Sequence, residues 1–395
     1  VGLCSIRVSV VLALLVSLNP VTLNQCLSYY NDGQVSSLIV SFVVCSIYLV
    51  VRYGTAPLVL LALVTLNLSN LKFGALGLVV ILGTVYCLAL LVLRPRVPIW
   101  KIIGVFAGSL AAGVLFIGYN PYVVNYKVGG SPFYPFSSFS AANPMWEAQE
   151  IHQTPANFRG RGPIHTLVLS IFSRSSNDFV AEGRTVGPGR LKVPFTVSRS
   201  ELESFADVDT KVSGWGPLFG GIILLTVGAL LLMLRRRQPK GPPVILLLVL
   251  AGTTISVLAL PDHWNARYAP HLCLIPLATT AYLLLWESRG LRLFAWLIAG
   301  TMAVNLVLIA APCFWAAFIK TRALNAQLSE LARDEQPVRV CFGELHFNRA
   351  RFRALGIKYQ EIPPPANAAG VRLAGYLPQA ETVIYPNLPK KESSN

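Results

Sequence analysis

A lone aspartate stands in a polar stretch between two apolar runs, Gln25-Cys26-Leu27-Ser28-Tyr29-Tyr30-Asn31-Asp32-Gly33-Gln34. Ionisable residues at membrane depth are costly, and they mark ligand or proton sites by default. At a membrane–water boundary, Asp32 has the chemistry of a general base for an acceptor hydroxyl, or of a metal ligand. Asn31-Asp32-Gly33 is also a turn signal in its own right. Tyr29 and Tyr30 equally suit an interfacial aromatic belt. The local sequence leaves both readings open.

A second concentration is Asp262-His263-Trp264-Asn265-Ala266-Arg267-Tyr268, again between apolar runs. A guanidinium forks onto phosphate oxygens, so Arg267, with His263 and Asp262 beside it, suits a lipid phosphate or pyrophosphate. The alternative is a snorkelling arginine paired with Asp262, with Trp264 and Tyr268 in the interface. Arg267 is expected to begin a helix. Lys72, in the polar turn after Asn70, is a further candidate cation or a plain interfacial lysine. The run Gly118-Tyr119-Asn120-Pro121-Tyr122, continuing to Pro132-Phe133-Tyr134-Pro135, alternates aromatic rings with amides. Rings stack on pyranose faces and amides reach sugar hydroxyls, which makes Asn120 and Tyr122 candidate sugar contacts. An aromatic belt followed by a proline-broken loop is the other reading. His152, His165 and His346 lack ligand-spaced partners and read as structural.

The elements that would hold these residues are membrane helices. Of 395 residues, 54% are hydrophobic and 13% charged. Soluble proteins carry roughly a quarter charged residues. Apolar blocks near 7–24, 36–52, 55–70, 73–93, 99–118, 217–234, 243–260, 267–286 and 293–316 predict an all-α polytopic membrane protein of about nine spans. The run after Arg7 lacks a small-residue cleavage site and is read as a span, not a signal peptide. The net charge of +15 lies largely in short loops, where it orients helices, so no nucleic-acid partner is expected. The seven scattered cysteines have neither metal-ligand nor disulfide spacing.

Arg94-Pro95-Arg96, Arg235-Arg236-Arg237 with Lys240, and Arg289 with Arg292 mark one face as cytoplasmic. Parity then puts the N-terminus on that face. Asp32, Lys72, Arg267, the insertion 119–216 and the C-terminus fall on the other. Four regions follow: N-terminal membrane helices (1–118), an extracytoplasmic loop-rich cap (119–216), C-terminal membrane helices (217–316) and a small soluble α/β unit (317–395). In the last, strands are expected at 338–342, 357–359 and 382–385, with a basic helix around Arg349, Arg351 and Arg353.

These loops together resemble bacterial multi-spanning proteins related to the GT-C class of membrane glycosyltransferases. The matching pieces are Asn19-Pro20 with Tyr29-Tyr30-Asn31-Asp32-Gly33-Gln34; Asn70-Leu71-Lys72-Phe73; Gly118-Tyr119-Asn120-Pro121-Tyr122 with Pro132-Phe133-Tyr134-Pro135; Val193-Pro194-Phe195; Gly214-Trp215-Gly216-Pro217-Leu218-Phe219; and Trp264-Asn265-Ala266-Arg267-Tyr268. The resemblance implies transfer of a sugar from a polyprenyl-phosphate donor to an envelope glycan or lipid acceptor. The reaction would take place on the outer side of the cytoplasmic (inner) membrane, often with a divalent cation. Carried over, Asp32 would be the base, and Arg267, with His263 and Lys72, would hold the lipid phosphate. Proteins of the class carry more spans ahead of the matching loop. A shortened N-terminus is therefore expected, which would leave Asp32 a substrate-positioning role. The rivals are a lipid or polysaccharide transporter and an inactive scaffold subunit of an envelope-synthesis complex.

Overall fold

The computed structural model describes residues 6–28, 30–93, 96–129, 154–177, 179–180, 185–235, 243–284, 288–334, 336–342, 347–363, 370–374 and 382–385. Tyr29, His152, His346, the Pro132–Pro135 motif and the basic residues Arg94, Arg236, Arg237 and Lys240 lie outside them. The chain is mostly helical and divides into two compact units, residues 1–205 with 209–310, and 206–208 with 311–395.

The first unit opens with α1 (Ile6–Ser17) and α2 (Pro20–Gln25). The expected single span 7–24 is broken here. Asn19 accepts a hydrogen bond from the Thr22 amide at 3.0 Å, and Pro20 fills the first helical position, so a new helix starts. Next come α3 (Asp32–Val51), α4 (Thr55–Leu71) and α5 (Phe73–Leu93). Lys72 alone separates α4 from α5, in an extended conformation (φ −161°, ψ 146°). α6 (Ile99–Ala112) does not give way to a loop at Gly118. It runs on through π-helical turns at Gly113–Ile117 and Tyr119–Val124 into α7 (Asn125–Gly129).

Within the cap lie α8 (Pro163–Ile171), a two-stranded antiparallel ladder of β1 (Phe179–Val180) and β2 (Thr185–Val186), and α9 (Arg199–Ser204). A capping box of Ser198 and Glu201 starts α9. Glu201 also pairs with the buried Lys192 ammonium, which donates to the Pro217 carbonyl at 2.6 Å. That staple ties the cap to the start of α10 (Phe219–Arg235).

α11 (Pro243–Leu258) follows, then a 3-10 turn at Pro270–Cys273 leading into α12 (Leu274–Leu284). Arg267 therefore does not begin a helix as expected. It lies in a turn, and the helical run starts at Pro270, whose missing N–H suits a first position. The last expected span, 293–316, belongs to a longer, 43-residue helix, α13 (Arg289–Leu331).

Among the described residues, four helices are long and apolar enough to cross a membrane: Asp32–Val51, Gly74–Leu93, Ile99–Ile117 and Arg289–Leu331. The structure does not confirm the expected nine: five further apolar helices have 10–17 described residues, and Asn19-Pro20, the Lys72 break and the turn before Pro270 bound three of them. α3 packs on α4, α4 on α5 and α6, and α11 on α5 and α12. At the α5–α6 crossing a Cβ on Gly83 would collide with the Phe106 ring, so glycine sets how closely these helices approach.

The second unit folds around Leu324, Leu328, Val338, Val340, Phe342, Phe352, Ile357 and Leu373. Strands β3 (Val338–Cys341), β4 (Tyr359–Glu361), β5 (Val371–Arg372) and β6 (Val383–Tyr385) form one sheet in the order β4-β3-β6-β5. The β3–β4 pair is parallel, connected through α14 (Phe347–Ala354), the basic helix expected there. Phe342, Phe352 and Tyr359 meet edge to face at 5.2–5.6 Å.

Gly83→Ala should lower the thermal unfolding midpoint of the detergent-solubilised protein by the equivalent of about 1–3 kcal/mol of overpacking. Phe106→Leu in that background should recover part of the loss. No recovery would mean that the ring does not set the helix spacing.

Candidate functional site

Asp32 sits in the first turn of α3 and is only 2% exposed. Its surroundings are built by α2. The Gln25 amide donates to Asp32 Oδ2 at 3.2 Å, and its carbonyl accepts the Gly33 amide at 3.2 Å. Thr22 donates to the Gly33 carbonyl at 3.1 Å. A Cβ on Gly33 would stand 2.8 Å from Thr22 Cα, so only glycine lets α2 lie this close. Asn31 donates to the Leu71 carbonyl at 2.9 Å and so fixes the end of α4 beside the start of α3.

That placement delivers two cations to one carboxylate. Lys72 pairs with Asp32 Oδ1, and Arg267 Nε donates to Asp32 Oδ2 at 2.6 Å. Arg267 Nη1 reaches Asp209 Oδ2 at 3.2 Å, and Lys211 donates to the same oxygen at 2.5 Å. Lys72, Arg267 and Lys211 thus meet Asp32 and Asp209 in one network. The Arg267 guanidinium also stacks 4.1 Å above the Tyr30 ring and 5.6 Å from that of Tyr268, while the Lys72 ammonium lies 4.8 Å from Tyr268. Burial works against the charged guanidinium, but Asp209 and then Asp32 outweigh it and hold its pKa above the ordinary arginine value. Arg267 is charged at any working pH.

Exposure sorts the members. The side chains of Lys72 and Arg267 are 28% and 20% exposed, against 2% for Asp32. The cluster offers its cations outward and keeps the carboxylate inside. Both Asp32 oxygens are engaged, Oδ1 by Lys72 and Oδ2 by Arg267 and Gln25.

The other candidates have different partners. His263 is buried, with Nε2 2.6 Å from Thr166 Oγ1 and Nδ1 2.9 Å from the Leu260 carbonyl, so it joins the cap to the α11–α12 connection. Asp262 is half-buried, and its carbonyl accepts the Asn265 amide at 2.9 Å in the turn that presents Arg267. Tyr122 is buried with its hydroxyl on the Ser69 carbonyl, which ties the extension of α6 to the end of α4. The Asn120 side chain lies outside the described residues. Arg161 and His165 meet at 2.9 Å on the exposed cap surface.

Sequence reasoning missed Gln25, Asp209, Lys211 and Asn305. Asn305, inside α13, donates to the Trp215 carbonyl at 2.8 Å and accepts the Leu218 amide at 2.9 Å. Trp215 in turn donates to the Ala269 carbonyl at 3.0 Å, two residues beyond Arg267. A buried amide in an apolar helix was the available signal for Asn305. Among the described residues the expected divalent cation has no fitting donor set. The carboxylates of Asp32 and Asp209 already face lysine and arginine, and no group of three or more His, Cys, Asp or Glu that could hold a metal is found among the described residues.

Comparison with known protein families, curated proteins and solved structures finds no match to this chain.

Asp32→Asn should cost about 2–3 kcal/mol of stability, less than the ~3–5 of a fully buried pair because both cations are partly hydrated. Lys72→Met added to it should cost little more, giving a coupling of about 1–2 kcal/mol in a double-mutant cycle read by thermal unfolding. Strictly additive losses would show that the pair is not formed. Asn305→Leu should cost about 1–3 kcal/mol, since it strands the Trp215 carbonyl and the Leu218 amide.

Proposed function

We propose that this chain is a glycosyltransferase-like membrane protein that binds a polyprenyl-phosphate-linked sugar at the Asp32–Lys72–Arg267 cluster. It would pass the sugar to an envelope glycan or lipid acceptor on the extracytoplasmic side of the cytoplasmic membrane. One observation carries the reading. Two partly exposed cations from distant segments are held on one buried carboxylate, at a point where several apolar helices end. A phosphate at a membrane surface is the ligand such a group suits.

In this reading Arg267 and Lys72 take the donor phosphate, and the Tyr30 and Tyr268 rings keep the guanidinium oriented. The acceptor oxygen attacks the anomeric carbon, and the bond from that carbon to the phosphate oxygen breaks. The electron pair leaves on the phosphate, where the two cations offset the growing charge. The acceptor proton goes to Asp32, whose oxygens become free as the cations turn toward the phosphate. Asp32 thus positions the cations in the resting site and serves as base once the donor is bound. The saturation of both Asp32 oxygens favours a second reading, in which the site holds the lipid phosphate without any transfer.

The test is transfer of labelled sugar from lipid donor in membranes, with donor binding measured in parallel. Arg267→Ala should cut transfer about 10²-fold or more, as loss of one donor to a developing oxyanion does elsewhere. Asp32→Asn should abolish transfer while leaving measurable donor binding. Wild-type transfer in both variants sinks the assignment. Donor binding that depends on Arg267, with no transfer by the wild type, selects the second reading.

A further inference from the structure

One stretch of the cap, Arg190-Leu191-Lys192-Val193-Pro194-Phe195-Thr196-Val197, is built inside out. Its lysine turns inward. The Lys192 side chain is 5% exposed, pairs with Glu201, and donates to the Thr196 carbonyl at 3.0 Å and the Pro217 carbonyl at 2.6 Å. The apolar residues around it turn outward: Leu191, Val193, Phe195 and Val197 are 40–71% exposed. A segment that faces water keeps the opposite pattern, and a buried charge beside an exposed apolar patch calls for an explanation.

The turn at its centre carries a second anomaly. The Thr196 amide donates to the Val193 carbonyl at 3.3 Å, with Pro194 and Phe195 between them. Phe195 has φ 68°, a left-handed value that the third position of a type II turn requires and that glycine ordinarily supplies. A phenylalanine held there is strained, so its ring must be wanted at that place. The ring lies on the first turn of α10, where a Cβ on Gly221 would run into it. It is still half-exposed, and it continues the exposed face of α10 on which Leu224 and Leu231 follow Gly221. α8 ends at the same level. The Phe172 ring lies against Gly220, its carbonyl accepts the Lys192 amide at 3.0 Å, and Ile164 and Val168, one turn apart, are exposed. The free charges alongside have one sign. Arg174 and Arg190 are exposed and joined by a backbone hydrogen bond of 2.8 Å, and residues 154–177 and 185–199 contain no Asp or Glu.

An apolar surface flanked by arginines, starting where an apolar helix starts, fits the headgroup–acyl boundary of a bilayer around α10. We infer that residues 190–197 anchor the cap in the membrane interface. Leu191, Val193, Phe195 and Val197 enter the edge of the acyl region, Arg174 and Arg190 stay level with the lipid phosphates, and the Lys192–Glu201 pair holds the segment from behind. The inference needs α10 to lie in a bilayer, and it is independent of any sugar transfer.

The full chain is reconstituted in liposomes of phosphatidylcholine and phosphatidylglycerol with a photoreactive side chain at one position at a time, and adducts are read by mass spectrometry. Val193→p-benzoylphenylalanine should give lipid adducts, as should Leu231→p-benzoylphenylalanine on α10. Gln360→p-benzoylphenylalanine, on β4 of the C-terminal unit, should give none. Leu191→Asn with Phe195→Asn keeps a residue that tolerates the left-handed turn, and should lower the yield at Val193 about fivefold or more as apolar area leaves the interface. The anchor is overturned by lipid adducts at Leu231 with none at Val193, by a cross-link from Val193 to protein in place of lipid, or by equal lipid yields at Val193 and Gln360. Lack of lipid adducts at Leu231 overturns it through its premise, since α10 would then lie outside the bilayer. Leu191→p-benzoylphenylalanine reads the same face should the Val193 variant fail to fold.

Discussion

Asp32 is a carboxylate with almost no access to water, and everything near it follows from that constraint. A charge so placed is tolerated only with counter-charges and hydrogen bonds in good geometry. Lys72 stands 40 residues away in the chain and Arg267 235 residues away. To bring them to one carboxylate, the start of α3, the α4–α5 junction and the loop before Pro270 must all meet. Each of these helix interruptions therefore has a reason to lie where it does. Asn19-Pro20 restarts the chain as α2, which supplies Gln25. Lys72 is pushed out of helical geometry at the single point where its ammonium can reach Asp32. Pro270 starts the 3-10 turn beyond Arg267 and leaves that residue in a turn held by Asn265.

The same constraint sets what the site can bind. A carboxylate sealed behind its cations cannot present itself first to a ligand, while a lysine and an arginine at its mouth can. Asp209 and Lys211, both in the cap, extend the cluster beyond Arg267. Arg267 is stacked on Tyr30 and shared between two aspartates, so its guanidinium is held by the protein's own groups.

How far the sequence revealed this site depended on the range of the interactions involved. Asp32, Lys72 and Arg267 stood out because a charge among apolar residues is visible in one dimension. Asp209 and Lys211 did not, because they sit in a polar segment where charge is unremarked, and only folding brings Asp209 to Arg267, 58 residues on. The C-terminal α/β pattern was readable from strand-length apolar runs around a basic helix. Span lengths were less so, since a hydropathy window passes over Asn19-Pro20 and a lone Lys72 without registering that each ends a helix. The opposite error occurs at α13, where the polarity of Lys320 and Arg322 suggests an end but the backbone continues. His263 and Tyr122 were visible as chemistry, yet tertiary hydrogen bonds to Thr166 and Ser69 engage them.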